Sequence, residues 1–220
     1  MSSQQVKKIM VTGSSGYVGN YLLKSLALAH PSIEIIGMSR SGKAREQSNL
    51  DIENVSYIKG DCLDIASFEK QLEDVDSVVH TVGVLFESSK NPKLTYKAMN
   101  RDAAANMAQV LNEYAKGSQR NFVYISSQKG LPFFPGYYDT KIEAENFILN
   151  ECPHLKPTII RPGFVVDGSH RVWSPPLGVA VDLLYNLNEL VVKKTPLAAP
   201  TDFLFPAKST KLSTIGYFTE

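Results

Sequence analysis

The sequence predicts a doubly wound α/β fold, in which helices cover both faces of a mostly parallel β-sheet. Over the first three quarters of the chain, short apolar runs alternate with stretches of helical periodicity. Apolar strands that alternate with helices are typical of a parallel sheet buried on both faces. A glycine-rich turn also lies directly between the first apolar run and the first helical stretch, as this architecture requires. The two observations together predict one substantial α/β domain.

The same patterns assign each element in turn. We expect strands at residues 9–12, 33–38, 55–59, 77–82, 122–126 and 158–161. We expect helices at residues 18–29, 66–73, 98–116 and 137–151.

The pattern changes after Arg161, where proline and glycine become frequent. One amphipathic helix is expected at residues 177–192, followed by irregular sequence to residue 220. So short a segment buries too little apolar surface to fold alone. We therefore expect a main domain over residues 1–165 and a small C-terminal cap over residues 166–220 that is not an independent domain.

Composition excludes several classes of protein. The formal net charge is +1 and no block of Lys or Arg stands out, so we expect no nucleic-acid partner. No apolar stretch reaches the ~20 residues needed to cross a bilayer. Cys62 and Cys152 lie far apart in sequence, which predicts two free buried thiols and no metal site. Few residues precede the first strand, so the residues alone predict a soluble intracellular protein without a cleavable signal.

Gly13, Gly16 and Gly19 follow the first strand with the spacing G-x-x-G-x-x-G. In a dinucleotide fingerprint, the first glycine permits a tight turn, the second admits the pyrophosphate, and the third lets the helix pack on the strand. The helix N-terminus then attracts the phosphates. The turn therefore predicts that residues 1–165 form a Rossmann domain for NAD(H) or NADP(H); the alternative is a purely structural turn.

The end of the second strand indicates which dinucleotide is bound. An acidic residue there would bind the ribose 2′-hydroxyl of NAD. This chain has Ser39, Arg40, Ser41 and Lys43 instead, which suit a 2′-phosphate. We therefore expect NADP(H) to be preferred, with NAD(H) possible; a solvated basic loop is the alternative.

Tyr137 and Lys141 are four residues apart in a predicted helix and so share one face. A nearby ammonium lowers the pKa of a phenol, which would make Tyr137 a general acid or base for a carbonyl or alcohol. Ser126 and Ser127 end the preceding strand, at the edge of the sheet where ligands bind, and either could hydrogen-bond the substrate oxygen. A surface Tyr/Lys pair is the alternative.

The motifs as a set resemble the short-chain dehydrogenase/reductase superfamily, in its extended or atypical branch. The matching strings run in order over residues 8 to about 167 and include TGSSGYVG, GDCL, YISS, YYDTK and RPG. The resemblance implies that Asp61 lies near the adenine and that Lys141 reaches the nicotinamide ribose. The cofactor residues that it implies are Gly13, Ser15, Gly16, Tyr17, Val18, Gly19, Ser39, Arg40, Lys43, Asp61, Cys62, Gly83, Asn100, Lys141 and Pro162.

A narrower resemblance rests on the strings SRSGKA, YISSQKG, PGYYDTKIEAE and IIRPGFVVD. They are similar to fungal mitochondrial proteins associated with ubiquinone (coenzyme Q) biosynthesis, and through these to the NAD(P)H-binding accessory subunit of respiratory complex I. The likeness implies a mitochondrial protein peripheral to the inner membrane that works with a coenzyme Q biosynthetic complex. The residues alone would also fit the cytoplasm.

Three functions are compatible with this sequence. The first is an NADP(H)-dependent oxidoreductase for a hydrophobic, quinone- or isoprenoid-type substrate, whose pocket the helix at residues 177–192 could line. The second is a non-catalytic NADP(H)-binding subunit that stabilises or regulates a complex. The third is a nucleotide-sugar epimerase or dehydratase, for which the short C-terminal region leaves little room. The intact Tyr137/Lys141 pair favours the oxidoreductase.

Overall fold

Six parallel strands form the main sheet of the computed structural model, which describes residues 7–45, 52–128, 135–163, 165–166 and 210–211. In chain order the strands are β1 (Lys8–Thr12), β2 (Glu34–Ser39), β3 (Val55–Lys59), β4 (Ser77–His80), β5 (Arg120–Ile125) and β6 (Leu155–Ile160). They lie in the order β3-β2-β1-β4-β5-β6, and each neighbouring pair is parallel. The predicted doubly wound parallel sheet is confirmed.

The helices of the described residues are α1 (Tyr17–Ala29), α2 (Ala103–Tyr114) and α3 (Pro135–Glu151). None of the helices in these parts of the chain is long and apolar enough to cross a membrane. A second sheet pairs β7 (Val165–Val166) with β8 (Thr210–Lys211), which the sequence patterns did not predict. The helix expected at residues 177–192 and nearly all of the cap lie outside the described residues.

Two predicted helices differ from the structure. The segment 66–73 forms two 3₁₀ turns, Ile65–Ser67 and Glu69–Leu72. Here the Ser67 hydroxyl donates to the carbonyl of Asp64 at 2.6 Å and accepts from the backbone N–H of Asp61 at 2.9 Å, which competes with α-helical bonding. The segment 98–116 begins with a π-helical turn, Lys97–Asp102, before α2.

Two strands also have bounds that differ from the predicted ones. The fourth strand is expected to reach residue 82, but it ends at His80, because its partner β1 ends at Thr12 and is followed by the glycine turn. The sixth begins at Leu155 although it contains Pro157. Because β6 is an edge strand of the main sheet, the missing N–H of proline costs no internal hydrogen bond there.

Successive strand residues face opposite sides of the sheet, so the strands build two cores. One core joins the sheet to α2 and α3, and its buried strand residues are Met10, Ile36, Met38, Val78, Phe122, Tyr124 and Leu155. The other joins the sheet to α1, and its buried strand residues are Val11, Ile35, Val79, Ile125 and Ile160. The sheet is thus held between helices, and its carboxyl edge is left for a ligand.

Helix α1 offers a direct test of this arrangement. Leu22 is fully buried against the sheet, whereas Leu28 of the same helix is 65% exposed. Leu22→Ala should lower the free energy of unfolding by about 2–5 kcal/mol, because it leaves a cavity in the core. Leu28→Ala, the matched control, should change it by less than about 0.5 kcal/mol. Equilibrium unfolding in urea measures both, and equal losses would contradict the packing of α1.

Candidate functional site

The strand order runs from β1 to β3 on one side and from β4 to β6 on the other, so its direction reverses between β1 and β4. A cleft opens at the carboxyl ends of these two strands. Ligands bind at such switch points in doubly wound sheets. We call it the switch-point cleft, and its walls are formed by Gly13, Ser15, Gly16, Met38, Ser39, Arg40, Gly60, Asp61, Cys62, Leu63, Thr81, Val82, Gly83, Val84, Met99 and Ala103. The structure thus brings together eight of the predicted cofactor residues: Gly13, Ser15, Gly16, Ser39, Arg40, Asp61, Cys62 and Gly83.

The turn after β1 has room only for glycine at its three key positions. Gly13 has a φ of +76°, which L side chains rarely adopt. A Cβ on Gly16 would lie 2.9 Å from the carbonyl oxygen of Gly13, and a Cβ on Gly19 would lie 2.3 Å from the same atom. A side chain at Gly16 or Gly19 would collide with the turn, so glycine at these positions lets α1 start directly behind it.

Helix α1 begins without a side-chain cap, since Gly16 is its N-cap residue, and no acidic residue lies in its first turn. Its N-terminal dipole is therefore available to an anion at the cleft. This arrangement fits the pyrophosphate of a dinucleotide. The side chains of Tyr17 and Val18 pack into the core under α1, so only their backbone groups can serve the cofactor.

The end of β2 and the loop after it supply Ser39 and Arg40 to the walls of the cleft. Arg40 is exposed and lines the cleft, whereas Lys43 is exposed but lies outside its walls. Ser39 is buried, and its hydroxyl lies 3.1 Å from that of Ser41. The sequence analysis missed Arg45, whose guanidinium donates to the carbonyl of Ser15 at 3.0 Å and so ties this loop to the glycine turn.

The end of β3 supplies the opposite wall. Asp61 accepts a hydrogen bond from the backbone N–H of Leu63 at 3.1 Å, which orients its carboxylate at the cleft. Burial raises the pKa of the Cys62 thiol to about 12, so this residue contributes a neutral side chain. In the described part of the chain, no cluster of His, Cys, Asp or Glu is suited to a metal ion.

Asn100 supports the other end of the cleft from within the π-helical turn. Its side chain accepts from the backbone N–H of Val84 at 2.8 Å and donates to the carbonyl of Val84 at 3.2 Å. Its own carbonyl accepts from the Tyr124 hydroxyl at 2.8 Å. Asn100 therefore fixes the loop after β4 and does not line the cleft. Its hydrogen bonds outside the helix account for the π-helical turn in which it lies.

Lys141 lies beneath this loop, almost fully buried. Its ammonium donates to the carbonyl of Ile125 at 2.9 Å and lies 4.8 Å from the centre of the Tyr124 ring. A Cβ on Gly83 would lie 3.2 Å from the Lys141 Nζ, so glycine lets the lysine approach this loop closely, although Lys141 is not one of the residues that form the cleft walls. Burial lowers the pKa of Lys141 to about 7, and the charge of Glu145 opposes this shift.

The expected lowering of the Tyr137 pKa by Lys141 is wrong for this structure. Burial raises the pKa of Tyr137, and a hydrogen bond with the Ser127 hydroxyl opposes this shift in part. The ammonium of Lys141 is directed to the Ile125 carbonyl instead. The ring of Tyr96, which sequence reasoning missed, packs edge-on against Tyr137 with 6.0 Å between ring centres.

The two candidate serines have different surroundings. Ser126 is buried, and its hydroxyl donates to Glu145, so its hydrogen is not directed to a substrate. Ser127 is the serine that reaches Tyr137, and its hydroxyl also donates to the carbonyl of Gln128 at 2.9 Å. Pro162 lies behind them, where its carbonyl accepts from the backbone N–H of Gln128 at 2.9 Å, away from the walls of the cleft. Glu145 was missed, although its spacing of four from Lys141 was a usable signal.

His80 was also missed and lies fully buried at the end of β4. Its Nδ1 is 2.9 Å from the hydroxyl of Thr12, which joins β4 to β1 just before the glycine turn. Its ring stacks on Phe122 and tilts against Tyr124. Burial lowers the pKa of His80 to about 3, so the ring is neutral at neutral pH.

This buried histidine makes stability depend on pH. The unfolded chain binds a proton near pH 6.5, whereas the folded chain binds it only near pH 3. The free energy of unfolding should therefore be fully retained above pH 6.5 and should fall as the pH decreases towards 3, by up to about 1.4 kcal/mol per pH unit from this group. Urea unfolding over a pH series should give a flatter curve for His80→Gln and an unchanged slope for the exposed control His154→Gln. Equal slopes in all three proteins would contradict this role.

Comparison with known proteins places the chain among nucleotide-dependent enzymes. Its fold is similar to that of a yeast methylglyoxal/isovaleraldehyde reductase solved with NADPH, at 13% identity and a TM-score of 0.59 over 72% of this chain and 58% of that one. It is 29% identical to a UDP-glucose 4-epimerase of Vibrio cholerae over 72% of this chain but only 52% of that enzyme.

The chain is also 26% identical to MIOREX complex component 2 of Saccharomyces cerevisiae, over 94% of this chain and 90% of that protein. The family model that matches residues 9–144 covers the glycine turn, the cleft and Lys141. A further solved structure of similar fold is the enzyme WbmH of Bordetella bronchiseptica in complex with NAD+, at 20% identity and a TM-score of 0.58 over 80% of this chain and 64% of that one. The chain belongs to the NAD dependent epimerase/dehydratase family.

Proposed function

We propose that this protein is an NADP(H)-dependent oxidoreductase that acts on a hydrophobic carbonyl compound of the quinone or isoprenoid type. The observation that carries the proposal is the position of Tyr137 and its hydrogen-bond partner Ser127 at the carboxyl edge of the sheet, beside the switch-point cleft, with Lys141 one helical turn further along α3. The glycine turn would hold the pyrophosphate, and Arg40 would bind the 2′-phosphate. NADP(H) supplies or accepts the hydride when it is bound.

Tyr137 suits the role of general acid. Since burial raises its pKa, its phenol carries a proton at neutral pH. It can donate that proton to a substrate carbonyl oxygen, and the Ser127 hydroxyl would hold the same oxygen by turning from the carbonyl of Gln128 to the substrate. Lys141, whose pKa is about 7, adds a positive charge below the same site. The fraction of Lys141 that carries this charge falls as the pH rises.

The surroundings of Tyr137 favour an apolar substrate. The Tyr96 ring covers one side of Tyr137. The hydroxyl of Tyr96 donates to the carbonyl of Leu85 at 3.0 Å, which fixes the loop after β4. The next residue in that loop, Phe86, is 61% exposed. Aromatic side chains of this kind favour a planar apolar ring.

The cellular setting is part of the same proposal. The likeness to fungal proteins of coenzyme Q biosynthesis supports a mitochondrial location at the inner membrane and work within a complex. The match to 90% of the yeast relative, a named complex component, supports an assembly partner.

A non-catalytic cofactor-binding subunit is the second candidate, because the same match favours it. In that case Gly16→Asp, which disrupts the cofactor turn, should impair assembly of the complex, while Tyr137→Phe should not.

Tyr137→Phe tests the catalytic role. It should lower the rate of NADPH oxidation with a water-soluble quinone by about 10²–10⁴-fold, because the proton donor is lost. NADPH affinity should stay the same. Tyr138→Phe is the matched control, since Tyr138 is one residue out of register with Lys141, and it should keep the wild-type rate. Full turnover by Tyr137→Phe would exclude Tyr137 as the acid, and an inactive wild type that binds NADPH would favour the second candidate.

Arg40→Ala tests the preference for NADP(H). Loss of a charged hydrogen-bond donor to the 2′-phosphate should weaken NADPH binding by about tenfold or more. NADH binding should change little, and titration calorimetry measures both. Lys90→Ala removes the same charge from an exposed loop position and should alter neither. Equal or tighter binding of NADH by the wild type would refute the preference.

A further inference from the structure

Tyr96 joins the loop after β4 to the start of α3. It directly precedes the π-helical turn Lys97–Asp102. Its hydroxyl donates to the carbonyl of Leu85 at 3.0 Å, and its backbone N–H donates to the carboxylate of Glu87 at 2.7 Å. Two hydrogen bonds from one residue therefore hold the segment that follows Gly83.

The same loop is closed by its own hydrogen bonds. The backbone N–H of Ser88 donates to the carbonyl of Leu94 at 2.9 Å, and that of Leu94 donates to the carbonyl of Asn91 at 2.9 Å. The side chain of Asn91 also accepts from the backbone N–H of Lys93 at 3.0 Å. The chain thus returns to Tyr96 as a compact loop, with Tyr96 at its closing end.

On its other side, the Tyr96 ring packs against the first turn of α3. Its edge-on contact with the Tyr137 ring has 6.0 Å between the ring centres and 76° between the ring planes, which is a favourable arrangement for two aromatic rings. Gly136 allows this approach, since a Cβ there would lie 3.2 Å from Cδ2 of Tyr96. The ring of Tyr96 therefore packs on Gly136 and on the Tyr137 ring together.

The Tyr137 ring needs such a contact to keep one orientation. The Thr140 hydroxyl donates to the carbonyls of Gly136 and Tyr137, at 2.7 Å and 3.1 Å, and so fixes the backbone of this turn but not the ring. A tyrosine side chain can take more than one staggered rotamer. Among the described residues, Tyr96 supplies the aromatic contact with Tyr137, which favours the rotamer whose hydroxyl meets Ser127.

We infer that Tyr96 is a positioning residue that couples the loop after β4 to the proton donor of the proposed reaction. Its ring holds Tyr137 in the orientation that meets Ser127. Its hydroxyl and backbone N–H hold the loop that carries Phe86, which is 61% exposed. One residue thus fixes both the acid and the aromatic side chain of the loop. This role rests on the proposed function, since it assumes that Tyr137 donates a proton to a bound substrate.

Two substitutions separate the ring of Tyr96 from its hydroxyl. Tyr96→Leu should lower kcat for reduction of a water-soluble quinone by NADPH by about tenfold or more, because a misdirected Tyr137 is less often placed to donate its proton. Tyr96→Phe keeps the ring and should keep the wild-type kcat. The loop then loses its bond to Leu85, so KM for the quinone should rise by about threefold to tenfold.

Tyr114→Leu is the matched control. It removes a tyrosine ring that packs against the guanidinium of Arg120, at the far end of α2, and it should change neither kcat nor KM. An unchanged kcat in Tyr96→Leu, or equal losses of kcat in Tyr96→Leu and Tyr96→Phe, would overturn the positioning role of the ring.

A measurement without substrate or cofactor keeps the test independent of turnover. NMR of protein with labelled tyrosine and serine reports the nuclear Overhauser contact between the Tyr137 ring and the β-protons of Ser127, and Tyr137→Phe identifies the signal. The contact should persist in wild type and Tyr96→Phe and should weaken in Tyr96→Leu. A contact of equal strength in all three proteins would also contradict the positioning role.

Two further outcomes keep the inference decidable. If Tyr96→Leu does not fold, Gly136→Ala replaces it, because the added methyl group displaces the Tyr96 ring while both tyrosines are kept. The same Overhauser contact should then weaken, and an unchanged contact would overturn the inference. A wild type without turnover, whose contact still weakens in Tyr96→Leu, would refute the proposed function and support the positioning of Tyr137.

Discussion

The site is built on the close approach of α1 to the turn that follows β1. The space between Gly19 and the carbonyl oxygen of Gly13 is too small for a methyl group, since a Cβ on Gly19 would lie 2.3 Å from that oxygen and 2.6 Å from the hydroxyl of Thr81. The helix start, the turn and the end of β4 are thereby held as one unit. Behind them, His80 bonds to Thr12 and joins the two central strands. A helix N-terminus is thus fixed at the mouth of the cleft.

A second close approach, around Gly83, positions side chains at the other end of the cleft. Gly83 has no side chain, so Asn100 and Lys141 both approach the loop after β4 closely. Lys141 then sits under that loop while α3 holds the ends of β5 and β6 through Glu145. The two halves of the sheet therefore each bring polar groups to one edge: the glycine turn from the first half, and Tyr137 with Ser127 from the second.

The sequence predicted what depends on local pattern. Glycine spacing indicated the turn, and apolar runs indicated all six strands of the main sheet, with errors of a few residues at their ends. It could not predict what depends on contacts between distant residues. The choice between Ser126 and Ser127 needed the position of Glu145, and the direction of the Tyr137 pKa needed its burial. Arg45 was overlooked because nothing local shows that its side chain returns to Ser15.

Binding of NADPH to the switch-point cleft is the central claim, and titration calorimetry on wild type and Gly19→Ala tests it most directly. The wild type should bind one NADPH per chain in a saturable titration. Gly19→Ala, verified as folded by circular dichroism, should bind much more weakly, because the added methyl group displaces α1 from the turn. Absence of binding by the wild type, or equal affinity in the folded variant, would contradict the account.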